Sequence, residues 1–204
     1  MEQCISAKRF ITLSLVSCFS ESTLLSSESV LTVEVVMPVA RAESTSLRYR
    51  EAGEAKDLDA LIATLAPDVV FHSPLSARAR FAGHRQMREL FGVALNVLGG
   101  LRYHTDVGDE RTRMLASSAH LNGQELEEST LLRLNDEALI AEITMWIRPL
   151  PALTAVMAAL GPGLAQAAGK PVLSALVGAA VKPLILMTRV GDRTLVPLLD
   201  KPSG

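Results

Sequence analysis

At 204 residues, 49% of them hydrophobic and with a formal net charge of −2, the chain suits one core-bearing domain with extensions better than two complete domains. That charge balance gives no electrostatic footprint for nucleic acid, which normally demands a basic face. Cys4 and Cys18 both lie near the N-terminus, and the histidines His72, His84, His104 and His120 show no metal-ligand spacing. Neither a disulfide framework, a metal nor a cofactor is therefore implied. Aromatic residues make up only 4% of the chain, so any pocket is expected to be mainly aliphatic.

Residues 1–43 read as an N-terminal tail. Lys8-Arg9 before the apolar stretch Phe10 to Ser17 has the layout of a short export signal, and Leu15-Val16-Ser17-Cys18 resembles a lipoprotein cleavage site. The alternative is a dispensable tail before a start at Met37. The Ser-rich segment Ser20 to Ser29 suits a linker. A cytoplasmic location is expected, with export or lipid anchoring through residues 1–18 as the alternative.

The domain is expected over residues 44–150. Ser44, Thr45 or Ser46 caps a first helix running through Leu47, Tyr49 and Ala52. Asp57 caps a second, in which Leu58, Leu61, Ile62 and Leu65 recur at helical spacing, and Pro67 is expected to end it. Val69 to Ser73 is β-branched and aromatic, as in a strand, and Ser76 to Arg80 reads as a loop. Gly83 opens a third helix whose stripe is Met87, Leu90, Phe91, Ala94, Leu95 and Leu98, stopped by Gly99-Gly100. Beyond Leu101 the period falls to two, predicting strands over 101–106, 113–121, 125–134 and 139–147. Asn122-Gly123 marks a tight hairpin, because both residues tolerate positive φ, and Asn135-Asp136-Glu137 supplies the next turn.

Residues 151–204 form an apolar C-terminal extension. Pro151 to Leu160 and Pro171 to Val181 read as helices cut off by Gly161-Pro162-Gly163 and Lys182-Pro183. Leu184 to Val190 and Thr194 to Leu199 are candidates for a hairpin instead. These segments are expected to cap a pocket or bury an interface, with membrane contact through residues 151–190 as the alternative.

The class expected is α+β: a cone-shaped roll of three N-terminal helices on a curved, mostly antiparallel sheet. With Ala66-Pro67-Asp68-Val69-Val70-Phe71-His72-Ser73-Pro74, Phe81-Ala82-Gly83, Leu134-Asn135-Asp136 and Trp146-Ile147-Arg148-Pro149, residues 45–150 resemble the SnoaL-like branch of the nuclear transport factor 2-like superfamily. The resemblance implies an enclosed cavity for a small molecule, in a superfamily that holds polyketide cyclases, ketosteroid isomerases, epoxide hydrolases and modules without catalysis.

Carried over residue by residue, the ketosteroid isomerase pattern puts its hydrogen-bonding tyrosine on Tyr49, its carboxylate base on Ser73 and its second donor near Thr130. A serine there cannot act as a carboxylate base. The epoxide hydrolase pattern puts an acid on Thr144, with Arg111 or Arg113 and Asp109 or Glu110 as remote partners. A polyketide cyclase needs an acid/base group, for which Tyr49, Glu142 and His72 are the candidates, although strand alternation turns His72 away if Phe71 and Ser73 face inward. Expected ligand contacts are Phe71, Ser73, Tyr103, Thr144 and Trp146, on the reading that Glu142, Thr144, Trp146 and Arg148 share the cavity face. The function expected is binding of a small, mostly apolar molecule, with a cyclase- or isomerase-type enzyme and an interaction module as alternatives. A homodimer is also expected, on the premise that the convex sheet face is apolar.

Overall fold

In the computed structural model, which describes residues 28–167 and 169–199, five helices surround one six-stranded sheet. Helix α1 (Glu28–Ala55) leads into α2 (Leu58–Ile62), β1 (Leu65–His72), β2 (Arg80–Ala82) and α3 (Gly83–Val97). Strands β3 (Gly99–Gly108), β4 (Thr112–Leu121), β5 (Gln124–Leu134) and β6 (Ile140–Arg148) follow, then α4 (Leu150–Ala167) and α5 (Pro171–Val190). The curved, unclosed sheet has the order β2-β1-β6-β5-β4-β3. Among the described residues, only the β1–β6 pair is parallel. The architecture is the expected α+β roll with an apolar helical extension. The readings made for residues 1–27 lie outside the described residues, but residues 28–43, expected as tail, belong to α1, so Ser44, Thr45 and Ser46 lie within that helix and do not cap it.

Local chemistry explains the element boundaries. The Asp57 carboxylate accepts the Ala60 N–H at 2.9 Å and caps α2, using one of the amides a helix start leaves free. Asn122 and Gly123 both have positive φ, 50° and 73°, and turn β4 into β5 with Leu121 paired to Gln124. Pro67 does not end the helix as expected. Helix α2 stops at Ile62, and Pro67 lies within β1, where the register against β6 shifts between Leu65 and Val70. A residue without an N–H loses no regular ladder bond at such a place.

The inner sheet face carries Leu115, Leu132 and Ile143, packed against Tyr49 and Ala52 of α1, Leu61 of α2, and Met87, Leu90 and Phe91 of α3. A second cluster seats Ala152, Ala155 and Val156 of α4 on Leu101, Ala119, Leu121 and Leu126. The convex face is not the apolar surface on which the dimer expectation rested. It carries Arg102, His104, Ser118, Glu127, Arg133, Glu142 and Arg148, with Arg148 Nη1 3.3 Å from Glu127 Oε2.

The C-terminal readings are corrected too. Helix α4 continues through Gly161-Pro162-Gly163, α5 continues through Lys182-Pro183, and helical turns over Gly191–Leu195 and Val196–Leu199 replace the hairpin. The glycines serve contact here, not interruption. A Cβ on Gly161 would come within 2.8 Å of Val177 Cγ1 in α5, and one on Gly163 within 3.1 Å of Val93 Cγ1 in α3. The Ser174 hydroxyl donates to the Pro162 carbonyl at 2.9 Å, and the Thr154 and Thr188 hydroxyls meet at 3.0 Å. Tertiary packing thus overrides the helix-breaking tendency of both prolines.

A polar clamp fixes α1 to the sheet. Arg113 Nη2 and Nε donate to Asp106 Oδ1 at 2.6 and 2.9 Å, and the Ser46 hydroxyl donates to Asp106 Oδ2 at 2.8 Å. Arg50 Nε lies 3.2 Å from the same oxygen. Because Arg113 and Asp106 are nearly buried, removing one partner leaves a charge poorly compensated. Arg113→Ala is expected to lower stability by about 3 kcal/mol, read as a shift in the urea midpoint with an unchanged slope. A change within experimental error would show that the clamp does not hold α1.

Candidate functional site

The domain places five of its aromatic side chains around one hollow. Tyr49 from α1 meets Tyr103 of β3 edge to face, with ring centres 6.3 Å apart, and Phe91 of α3 at 6.4 Å. Phe71 of β1 continues the chain to Phe91 at 6.4 Å and to Phe81 of β2 at 6.1 Å. Such tilted pairs suit the charge distribution of aromatic rings and favour fixed orientations. The hollow has a volume of about 170 Å³, with Leu90, Leu95, Met145 and Ile147 among its walls. Helix α4 adds Val156, Leu160 and Leu164, so the C-terminal extension forms one side of the cavity.

Apart from Ser73, the polar groups on the wall are Tyr49, Tyr103 and Glu128, the last two belonging to one row of the sheet. Tyr103 pairs with Ser117, and Ser117 with Glu128, directly across β3, β4 and β5. Period-two alternation puts all three side chains on the inner face. Tyr49 closes over this row from the helix layer. Glu128 is buried among apolar neighbours and accepts a hydrogen bond from the Thr130 hydroxyl at 2.7 Å. Burial pushes its pKa above the ordinary glutamate range, and the Thr130 bond offsets only part of the rise. Burial likewise lifts both tyrosines far above the phenol range. The charge that Glu128 carries when ionised adds to this, while a hydrogen bond from Tyr103 works the other way at Tyr49. Ser117 Oγ is buried with no hydrogen-bond partner among the described residues.

Glu54 fixes the geometry of this row. Its carboxylate accepts the Tyr103 backbone N–H at 2.7 Å and the Arg102 guanidinium at 2.9 Å. The Tyr103 bond is the main reason its pKa falls below the usual range. Because Glu54 and Tyr49 sit on the same helix, that bond sets one tyrosine ring against the other.

The sequence-based candidates divide by face. Tyr49, Phe71, Ser73 and Tyr103 are on the cavity wall. Glu142, Thr144 and Trp146 are on the opposite face, which corrects the expected orientation of β6. Ile143 pairs with Leu132 and Phe71, so Ile143, Met145 and Ile147 take the inner side. The alternating set with more apolar area is buried, and the charged set stays in water. Glu142 Oε1 lies 3.1 Å from His72 Nε2 on that outer side, and Oε2 lies 3.8 Å from Arg133 Nε. Trp146, 49% exposed, borders a second hollow with His104 and Arg148, whose lining also includes Ser117 and Glu128. Arg113 belongs to the clamp, while Arg111 pairs with Asp136 at the surface.

Glu128 was not among the candidates. In sequence it follows Glu127, and a tandem acidic pair looks solvated. The available signal was alternation with Leu126, Thr130 and Leu132, which places Glu128 on the apolar side of β5. Among the described residues no group of His, Cys, Asp or Glu is arranged to hold a metal ion.

Residues 47–142 match the SnoaL-like domain family. A steroid delta-isomerase from Pseudomonas aeruginosa is similar in structure, at 26% identity over 64% of this chain and 93% of that one, with a TM-score of 0.55. A protein with a cystatin-like fold from Silicibacter pomeroyi shares the fold at 23% identity, over 57% of this chain and 82% of that one, also with a TM-score of 0.55. No curated protein matches the sequence.

Folding is linked to the Glu128 proton with a definite sign. An unfolded glutamate ionises near about 4.3, while folded Glu128 holds its proton to higher pH. Stability falls as pH rises between those two values and then levels off. Glu128→Gln keeps an acceptor for Thr130 and removes this fall, so its advantage over the parent should grow as pH rises. Urea melts of both proteins at several pH values measure it, and parallel stability curves would contradict it.

Proposed function

Because residues 47–142 match the SnoaL-like domain family, we propose that the protein binds one small, largely apolar molecule carrying an oxygen acceptor, such as a cyclic ketone. One observation carries this reading: an apolar hollow whose polar lining is a row of hydroxyl groups and a carboxyl that burial favours in its neutral form. Neutral Glu128 and the tyrosines offer O–H donors where no water competes, which favours a carbonyl oxygen over an alkane of the same shape. An apolar hollow of about 150 Å³ accommodates benzene, so a volume of about 170 Å³ suits a molecule of one or two rings.

A second reading is supported by the likeness to the steroid delta-isomerase. In it, Tyr49 and neutral Glu128 stabilise an enolate oxygen formed from a bound ketone. Ser73 stands where the resemblance calls for a carboxylate base, so proton removal would need another group. The binding reading requires no such group and is preferred. In this function Glu142, His72, Thr144 and Trp146 take no part, since they face away from the hollow.

The bicyclic ketone α-tetralone is a suitable probe, with binding followed by ligand-observed NMR. The parent is expected to bind it, and Tyr49→Phe to weaken binding about tenfold through loss of one buried hydrogen bond. Leu160→Trp should abolish binding by filling the hollow. Failure of the parent to bind, or equal binding by all three proteins, would overturn the proposal. Turnover of an unsaturated ketone by the parent but not by Glu128→Gln would favour the enzymatic reading.

A further inference from the structure

We propose that the outer face of α5 docks on an anionic lipid surface, with the helix lying along the membrane plane; this goes beyond the ligand-binding reading and does not depend on it. The inner side of α5 is committed to α4 through Ser174, Val177, Val181 and Thr188. The outer side presents Val172, Leu176, Leu186, Met187 and Val190, with Val172 74% and Met187 70% exposed. A helix packed on a soluble domain normally turns its polar side to water. Helix α5 does the reverse, with an apolar stripe along the length of its outer face.

Charge selects the occupant. From Ile143 to Gly191 the sequence contains Arg148, Lys170, Lys182 and Arg189 and no acidic residue. Lys182 and Arg189 sit about two turns apart along one edge of the apolar stripe, where long basic side chains reach lipid headgroups while their stems stay apolar. A two-fold contact with a second copy would bring these cations together with no acidic group within α5 and one, Asp192, in the turn beyond its end. An anionic headgroup layer supplies the missing countercharge.

The span Ser174–Leu195 is long and apolar enough to cross a membrane by length and composition. Its attachments favour the surface arrangement instead. Crossing would take Ser174 from Pro162, Thr188 from Thr154, and Val177 from its seat over Gly161. It would also carry Lys182 into the hydrocarbon, which is costly. Lying flat, α5 keeps every one of these contacts.

Flotation of the full chain with phosphatidylcholine vesicles, and with vesicles containing about 30% phosphatidylglycerol, tests the proposal. The chain is expected to float with the anionic vesicles and to lose most of that binding in high salt. Lys182→Ala with Arg189→Ala should weaken partitioning about thirtyfold, and Lys182→Ala alone, at an exposed position, by a smaller amount in the same direction. Leu186→Ser with Met187→Ser should abolish flotation while leaving the thermal melt of the domain unchanged. The proposal is overturned if the full chain stays in the soluble fraction, or if neither pair of substitutions alters flotation. It is also overturned if the Ser pair instead turns a dimer into a monomer, which makes a second copy the occupant. Resistance to alkaline carbonate extraction would contradict the surface arrangement.

Discussion

A carboxyl group placed on the dry side of a β-sheet constrains nearly everything around it. Ionised Glu128 would lose its water with no cation on the cavity wall to replace it, a cost that favours retention of the proton. Its neighbours fit that state. Thr130 donates to one oxygen, Ser117 stands beside it in the next strand, and Tyr49 and Tyr103 face it with hydroxyls that burial also keeps protonated. The result is a short polar strip, its carboxyl biased by burial toward the protonated form, beside a hollow lined mainly by rings and aliphatic side chains. Under the proposed ligand-binding function, such a strip orients the ligand through its oxygen and leaves the remainder to shape.

The strip works only if α1 is held at a fixed height above the sheet, and two separate devices do this. The Asp106–Arg113 pair, with Arg50 and Ser46, anchors the helix to β3 and β4. Glu54 ties the next turns of the helix to the backbone of Tyr103 itself. Core packing alone is indifferent to small slides of a helix along a sheet, whereas directional charged hydrogen bonds are not. On the far side, α4 is held by α5 and by the close approach of Gly163 to Val93. The C-terminal extension is therefore part of the cavity wall and not an appendage to it.

Elements with a strong local signal were legible in the sequence. Asp57, Asn122-Gly123 and the alternation through β4 and β5 each encode a boundary or period within a few residues, and the resemblance of residues 45–150 to the SnoaL-like fold rested on the order of elements with the motifs around Pro67, Phe81, Asn135 and Trp146. What depends on distant partners was less legible. The face of β6 was misread because the carry-over placed Thr144 inward, whereas Ile143, Met145 and Ile147 hold the greater apolar area and pack inward. Pro162 and Pro183 look like helix ends until the α4–α5 pairing is known. Tyr49 and Ser73 were recognised through the resemblance, and Phe71 and Tyr103 through strand alternation. Glu128 was hidden by Glu127, because local polarity says nothing about which of two adjacent acids the pleat turns inward.

The protonation state of Glu128 is the most direct test of this account. Selective carbon-13 labelling of glutamate, with the Glu128 carboxyl resonance assigned by its loss in Glu128→Gln, allows that single group to be titrated by NMR. The account predicts a midpoint above the ordinary value of about 4.3, so that the group is still protonated where exposed glutamates have ionised. A midpoint at or below that value would mean that a charge sits on the cavity wall, and the neutral donor strip would not exist.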